Sequence, residues 1–360
     1  MRKALKFVLL FLVVVVIAAG VGASMVWTRI HEPFKGYADN EQFVQIPPGS
    51  STRDIGRRLI DAGVIRDELR FRVAAWWSGS ARKLQAGEYR FERAMSSLDV
   101  IDMIARGEVH ARRLTFPEGL TIREMAKIWE SQGFGPAARF IEAARQPELI
   151  ADLDPKAVDL EGYLFPDTYP LPRGTAAPKL ISMMVERFRA ACTKELLAQA
   201  SAQGLTTRQF VTLASLVEKE TGAGAERPLV AAVYRNRLKI GMGMQADPTV
   251  IYALERAGRY DGNLRRDDLA FDSPYNTYKY SGLPPGPIAS PGGAALEAAA
   301  APADVPYLYF VSRNDGSHVF ATTLAEHNRN VQKFQVEFFR NKKGERGKGE
   351  AGRAVSGTRG

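Results

Sequence analysis

The chain has 360 residues, more than one compact domain usually holds, and 45% hydrophobic with 25% charged residues is a globular composition. That excludes disorder throughout, and a single cysteine, Cys192, excludes a disulfide framework or a cysteine-rich metal site. Of the net charge of +9, residues 1–30 carry +4 and residues 340–360 carry +5, so the body between is neutral and lacks the basic footprint of a nucleic-acid reader.

Residues 7–28 form an uncharged run, FVLLFLVVVVIAAGVGASMVWT, preceded by Arg2, Lys3 and Lys6. As a helix at about 1.5 Å per residue it spans roughly 33 Å, enough for a bilayer core. Secretory signals have shorter apolar cores, about 7–15 residues, so a retained transmembrane anchor is favoured even though Val21-Gly22-Ala23 offers a cleavage site. Trp27 stands where interfacial aromatics belong, and the positive charge before the run exceeds that just after it. This predicts a single pass: residues 1–6 cytoplasmic and, in a bacterium, the body outside the cytoplasmic (inner) membrane. Lipid attachment at a thiol near the start is excluded, and Cys192 reads as a small buried apolar residue.

A repeat organises the first half of the body. Segment 44–64, VQIPPGSSTRDIGRRLIDAGV, aligns with segment 114–134, LTFPEGLTIREMAKIWESQGF, at a constant offset of 70. In each copy apolar alternation (Val44 and Ile46, or Leu114 and Phe116) predicts a short strand, and Pro-x-Gly predicts a turn. Ser51 with Asp54, and Thr121 with Glu124, have capping-box spacing and open a helix that Gly63 or Gly133 closes. Between the copies, residues 87–91 read as a strand and 97–106 as a helix. This pattern resembles a LysM-like strand–helix–helix–strand module of the kind found in proteins that handle peptidoglycan, with a spacer lacking sugar affinity as the plainer alternative. The expected organisation is α+β: anchor 7–28, LysM-like module 40–135, mixed α+β catalytic domain 136–338, and a disordered basic tail 339–360.

From Asp159 onward the chain is dense in Tyr, Asn, Asp, Pro and Gly. It has no H-E-x-x-H, no G-x-S-x-G and no P-loop, and its S-x-x-K at residues 80–83 has no K-T-G after it. What remains is carboxylate chemistry in an aromatic, amide-rich setting, which is what glycosidic bond cleavage uses. Phe210, Leu213, Ala214 and Val217 follow a helical period, and Glu218 and Glu220 flank that stripe on opposite sides in the last turn. The helix's negative end and partial burial both favour a protonated carboxyl, as a general acid requires. Periodicity does not choose between the two glutamates, and a solvated Glu-Lys-Glu helix end remains the alternative.

The ordered motifs LEGYLFPDTY at 160–169, LASLVEKE at 213–220, QADPTVIY at 245–252, YNTY at 275–278 with GLPPGPI at 282–288, and YLYFV with HVF at 307–320 resemble the YceG-like (MltG) family of endolytic murein transglycosylases. Ala246 departs from the serine common in that family. The resemblance implies an enzyme that cuts peptidoglycan glycan strands internally, between N-acetylmuramic acid and N-acetylglucosamine, leaving 1,6-anhydro-muramoyl ends and terminating nascent strands. It assigns the catalytic glutamate to Glu218. It implies no cofactor, and as partners glycan strands and peptidoglycan synthases; the membrane is a partner through the apolar run, the scattered His residues and single Cys suit no metal, and the neutral body suits no nucleic acid.

Gln245, Tyr275, Asn276, Tyr278, Glu161 and Asp167 are the candidate substrate-binding residues, since aromatic and amide side chains on Pro/Gly-flanked loops suit sugar faces and acetamides. Asn276 is alternatively a turn residue, Glu161 and Asp167 loop-holding groups, and Asp247 a helix N-cap ahead of Pro248. His318, after the hairpin signal Asn314-Asp315-Gly316, is expected to pack. Two rival functions remain, a muramidase-type hydrolase that uses water and a non-catalytic peptidoglycan-binding scaffold.

Overall fold

The computed structural model describes residues 2–222, 224–338 and 340, with the backbone alone for residues 2–6 and 8. The basic tail expected from residue 339 lies outside the described residues, Arg340 apart. The chain is α+β and forms two compact units. One holds the residues up to Arg113 with Pro170–Thr175; the other holds Leu114–Tyr169 and the chain from Ala176 on.

The first unit opens with α1 (Arg2–His31), whose segment Leu9–His31 is the one helix among the described residues long and apolar enough to cross a membrane. Then come β1 (Gln42–Ile46), α2 (Thr52–Asp61), α3 (Glu68–Trp77), β2 (Gly87–Phe91) and α4 (Ser97–Arg106). Strands β1 and β2 pair antiparallel with Val44 opposite Tyr89. Their inward residues Val44, Ile46, Tyr89 and Phe91 meet Ile55 and Leu59 of α2, Phe71 of α3 and Ile101 of α4 in one core. Ile30, near the end of α1, is 1% exposed in that same core.

Strand β3 (Ala111–Thr115) pairs with β4 (Thr168–Pro172), and the division between units falls within both strands. Between them lie α5 (Ile122–Ser131) and α6 (Ala137–Ala143), so β3–α5–α6–β4 repeats the order β1–α2–α3–β2. The capping boxes at Ser51/Asp54 and Thr121/Glu124 both form. Gly63 and Gly133 take φ of 68° and 74° where each helix closes. The two compact units divide at Arg113, ahead of α5, which packs on α6 with Trp129 against Phe140.

That unit continues with α7 (Ala177–Ala191), α8 (Lys194–Ala202), α9 (Thr207–Glu220), α10 (Arg227–Lys239), α11 (Asp247–Arg256), α12 (Gly293–Ala300), the hairpin β5 (Tyr309–Ser312) and β6 (His318–Ala321), and α13 (Leu324–Val331). Helix α9 is its axis. Every residue from Phe210 to Val217 is buried, polar Thr212 and Ser215 included, with α8, α10, α11 and α12 packed around it. The expected apolar stripe is thus two full turns buried on every side, with the helix ends outside the core. Asn314, at φ 65°, turns the expected hairpin. Cys192 is buried as expected, and burial pushes its thiol up to about 11, which leaves it unreactive at neutral pH.

Candidate active site

Helix α9 starts on a capping box, Thr206 with Gln209, and ends at Glu220, so its last turn delivers two carboxylates from a rigid, buried element. The Glu218 side chain is 6% exposed. Its Oε2 accepts the Gly292 N–H at 3.0 Å, and its Oε1 accepts from Arg227 Nη2 at 3.4 Å. Gly292 sits immediately before α12, on a loop fixed to α9 by the Ile288 N–H donating to Ser215 Oγ. Arg227 opens α10 and is itself only 17% exposed.

The Pro117-Glu118-Gly119 turn, the second copy of the repeated Pro-x-Gly, closes over this corner. Gly119 N–H donates to Ser290 O, Ser290 N–H to Leu120 O, and Lys219 Nζ to Gly119 O. Glu118 Oε2 lies 3.6 Å from Arg227 Nη2, so one guanidinium nitrogen faces both carboxylates. Burial and the neighbouring Glu218 charge hold the Glu118 carboxyl above its ordinary value, against the pull of Arg227. A Cβ on Gly292 would stand 1.8 Å from Glu118 Oε1, so any larger residue there would displace the Glu118 carboxylate.

Glu220 faces a different set of partners. Its Oε1 accepts the Tyr234 hydroxyl at 3.1 Å. Burial, with a smaller contribution from the Asp247 charge, pushes its carboxyl up to about 7, while the Tyr234 hydrogen bond and Arg237 oppose the shift. Asp247 in turn accepts the Tyr278 hydroxyl at 2.7 Å. The expected cap is corrected: Ala246 occupies the N-cap position, and Asp247 is the first helical residue, bonded to Tyr278 rather than to its own helix. Gln245 is exposed beside this group with φ of 50°, a left-handed conformation that costs a non-glycine residue of order 1 kcal/mol or more.

The remaining expected residues divide. Tyr275 packs at a tilt of 56° against Tyr252, ring centroids 5.0 Å apart, and lies under Arg256. Glu161, 7% exposed, accepts the Ile122 N–H and the Tyr252 hydroxyl, and burial pushes its carboxyl up to about 8. It lines a cavity of about 400 Å³ with Arg123, Arg145, Tyr252 and Arg256. Asn276 is fully buried; its amide donates to Leu269 O and Phe271 O, and its Oδ1 accepts the Tyr278 N–H. That is the turn-holding alternative, and it leaves no polar atom of Asn276 facing outward. Asp167 accepts from Arg187 and from the Thr168 N–H at the entrance to β4. His318 packs edge-on against Phe310 and bonds Glu226, the residue before Arg227. Among the described residues no group of three or more His, Cys, Asp or Glu is arranged to hold a metal ion. Glu118, Arg227 and Gly292 are site residues that the sequence did not single out. The only sequence signal for them was the repeated Pro-x-Gly turn, which marks a tight bend and not a site.

A crystallised YceG-like protein of Listeria monocytogenes is 32% identical and matches with a TM-score of 0.55 over 81% of this chain and 99% of that one. The endolytic murein transglycosylase of Bacillus subtilis strain 168 is 32% identical over 329 residues, covering 87% of this chain and 90% of that protein. The endolytic murein transglycosylase of Streptococcus pneumoniae D39 is 33% identical over 321 residues, covering 80% of this chain and 57% of that protein's length. The YceG-like family model matches residues 44–333. The chain belongs to the YceG-like family.

Proposed function

We propose that the chain is an endolytic transglycosylase of peptidoglycan, held at the bacterial inner membrane by α1, with Glu218 as its catalytic acid–base group. The observation that carries this is the Glu218 carboxylate. It is nearly enclosed, gripped through both oxygens by Gly292 N–H and Arg227, and belongs to a chain whose relatives are named for that activity. As the bond between N-acetylmuramic acid and the next sugar breaks, protonated Glu218 gives its proton to the bridging oxygen and positive charge builds at C1. The muramoyl C6 hydroxyl then attacks C1, and the Glu218 carboxylate takes the hydroxyl proton. The proton lost is regained, no water is consumed, and the product carries a 1,6-anhydro ring. The nucleophile belongs to the same sugar, so it reacts with the advantage of an intramolecular group.

Tyr278 and Gln245, exposed near Glu220, are the sugar- and acetamide-binding residues of this reading, and the strained Gln245 backbone supports that role. Glu161 lines a neighbouring cavity for the same strand, with Tyr275 packed behind it on Tyr252; Asn276 and Asp167 shape the loops that present these groups. The β1–α2–α3–β2 order with antiparallel β1–β2 supports a LysM-like module in the first unit. In this reading the enzyme terminates strands beside the synthases, outside the cytoplasm.

A hydrolytic outcome is the second reading, favoured by Glu118. Both carboxylates face the same Arg227 nitrogen, so Glu118 lies no more than about 7 Å from Glu218, close enough to serve as a second carboxylate. Mass analysis of products released from purified peptidoglycan separates the two. The anhydro ring is lighter by one water than the reducing end a hydrolase leaves. Anhydro ends are expected; reducing ends would move the enzyme to the second reading.

A further inference from the structure

Helix α3 is apolar on two faces. Phe71, Ala74 and Ala75 are buried in the first unit's core, while Leu69, Trp76 and Trp77 are 69%, 76% and 52% exposed. At 100° per residue, Leu69, Val73, Trp76 and Trp77 share one sector opposite the buried trio. Glu68, Arg70 and Arg72 lie between these two faces, and an exposed apolar sector of this kind marks a contact with protein or with lipid. Here the outer face continues the surface of α1. Val26, Arg29 and Ile30 of α1 line one cavity of about 300 Å³ with Leu69, Arg70 and Val73 of α3. Further along, the Trp77 ring stands edge-on to Trp27 with centroids 5.9 Å apart. Trp27 closes the apolar span, so a bilayer that surrounds α1 up to Trp27 also reaches Trp76 and Trp77. Just beyond the helix, Arg82 and Lys83 are exposed.

We infer that α3 is a membrane-surface helix: Leu69, Trp76 and Trp77 enter the interfacial layer of the lipid bilayer beside α1, and Arg82 and Lys83 meet anionic headgroups. Tryptophan is the side chain best suited to that layer, with an apolar ring and a polar N–H, and basic residues at the surface are drawn to anionic lipid. The inference rests on the reading of α1 as a membrane span. Its consequence is that the first unit is fixed in height and tilt by a second contact, and does not swing from a single tether.

The test uses the full chain in vesicles of phosphatidylethanolamine and phosphatidylglycerol, with and without phosphatidylcholine brominated in its acyl chains. The chain has four tryptophans, and Trp129 is 1% exposed, so Trp27→Phe leaves Trp76 and Trp77 as its only exposed emitters. Emission of that variant is expected to fall in brominated vesicles and to resist aqueous iodide. Adding Trp76→Phe and Trp77→Phe should remove the lipid-quenched component and leave the Trp129 signal equal in both vesicles. Equal emission from the Trp27→Phe chain in the two vesicle types, or quenching by iodide, would overturn the inference while flotation with vesicles shows the anchor intact. Failure to float would overturn the anchor reading and this inference with it.

Discussion

Glu218 and Glu220 are separated by one residue and by their surroundings. Glu218 meets an arginine and a backbone N–H, Glu220 a tyrosine hydroxyl in a buried pocket. On the proposed mechanism Glu218→Gln keeps the shape and the Gly292 contact but removes the transferable proton. Its cleavage rate should fall at least about a hundredfold, the low end for general acid–base catalysis. Glu220→Gln still accepts the Tyr234 hydroxyl and should retain appreciable activity; a dead Glu220→Gln beside an active Glu218→Gln would exchange the two assignments. Glu161 gives a prediction about stability. Its carboxyl rises from 4.5 to about 8 in the folded chain, so between those values the native state holds a proton that the unfolded chain has released. Stability therefore falls as pH rises through that window and levels off above it, by up to about 5 kcal/mol for a group shifted this far. Glu161→Gln should flatten the decline, so thermal melts at pH 5 and pH 8 should differ less in the variant than in the parent. An unchanged difference would show that Glu161 is not the group responsible.

At the scale of elements, what the sequence made legible was local chemistry. Capping boxes, closing glycines and the Asn314 hairpin involve partners within a few residues, and all three formed as their spacing predicted. Of the constellation around Glu218, only α9 itself was legible. Glu218 and Gly292 are 74 residues apart, and nothing in a helical period or a turn signal marks such a pair. The same limit explains Asp247, whose local cap was displaced by a partner on a distant loop, Tyr278. Gly292 offers the test at this scale. Gly292→Ala would drive a methyl into Glu118 and force that carboxylate or the loop before α12 to move, so activity should fall well below that of the parent while the chain still folds. Activity equal to the parent's would mean that the Pro-x-Gly turn has no part in the site.

Taken as a whole molecule, the folded body begins earlier than composition suggests. A start near Asn40 removes Ile30, buried in the first unit's core, and Phe34, which pairs with Met95. Burying one such side chain stabilises by about 1.5–3 kcal/mol. A chain beginning at Arg29 should accordingly melt several degrees above one beginning at Asn40; equal melting temperatures would place Ile30 outside the cooperative unit.

On the proposed mechanism Glu218 performs both proton transfers of a transglycosylase. The most direct test is mass spectrometry of fragments released from purified peptidoglycan by the parent enzyme and by Glu218→Gln. The parent should release 1,6-anhydro ends and the variant essentially none. Fragments with reducing ends, or undiminished release by Glu218→Gln, would contradict that role.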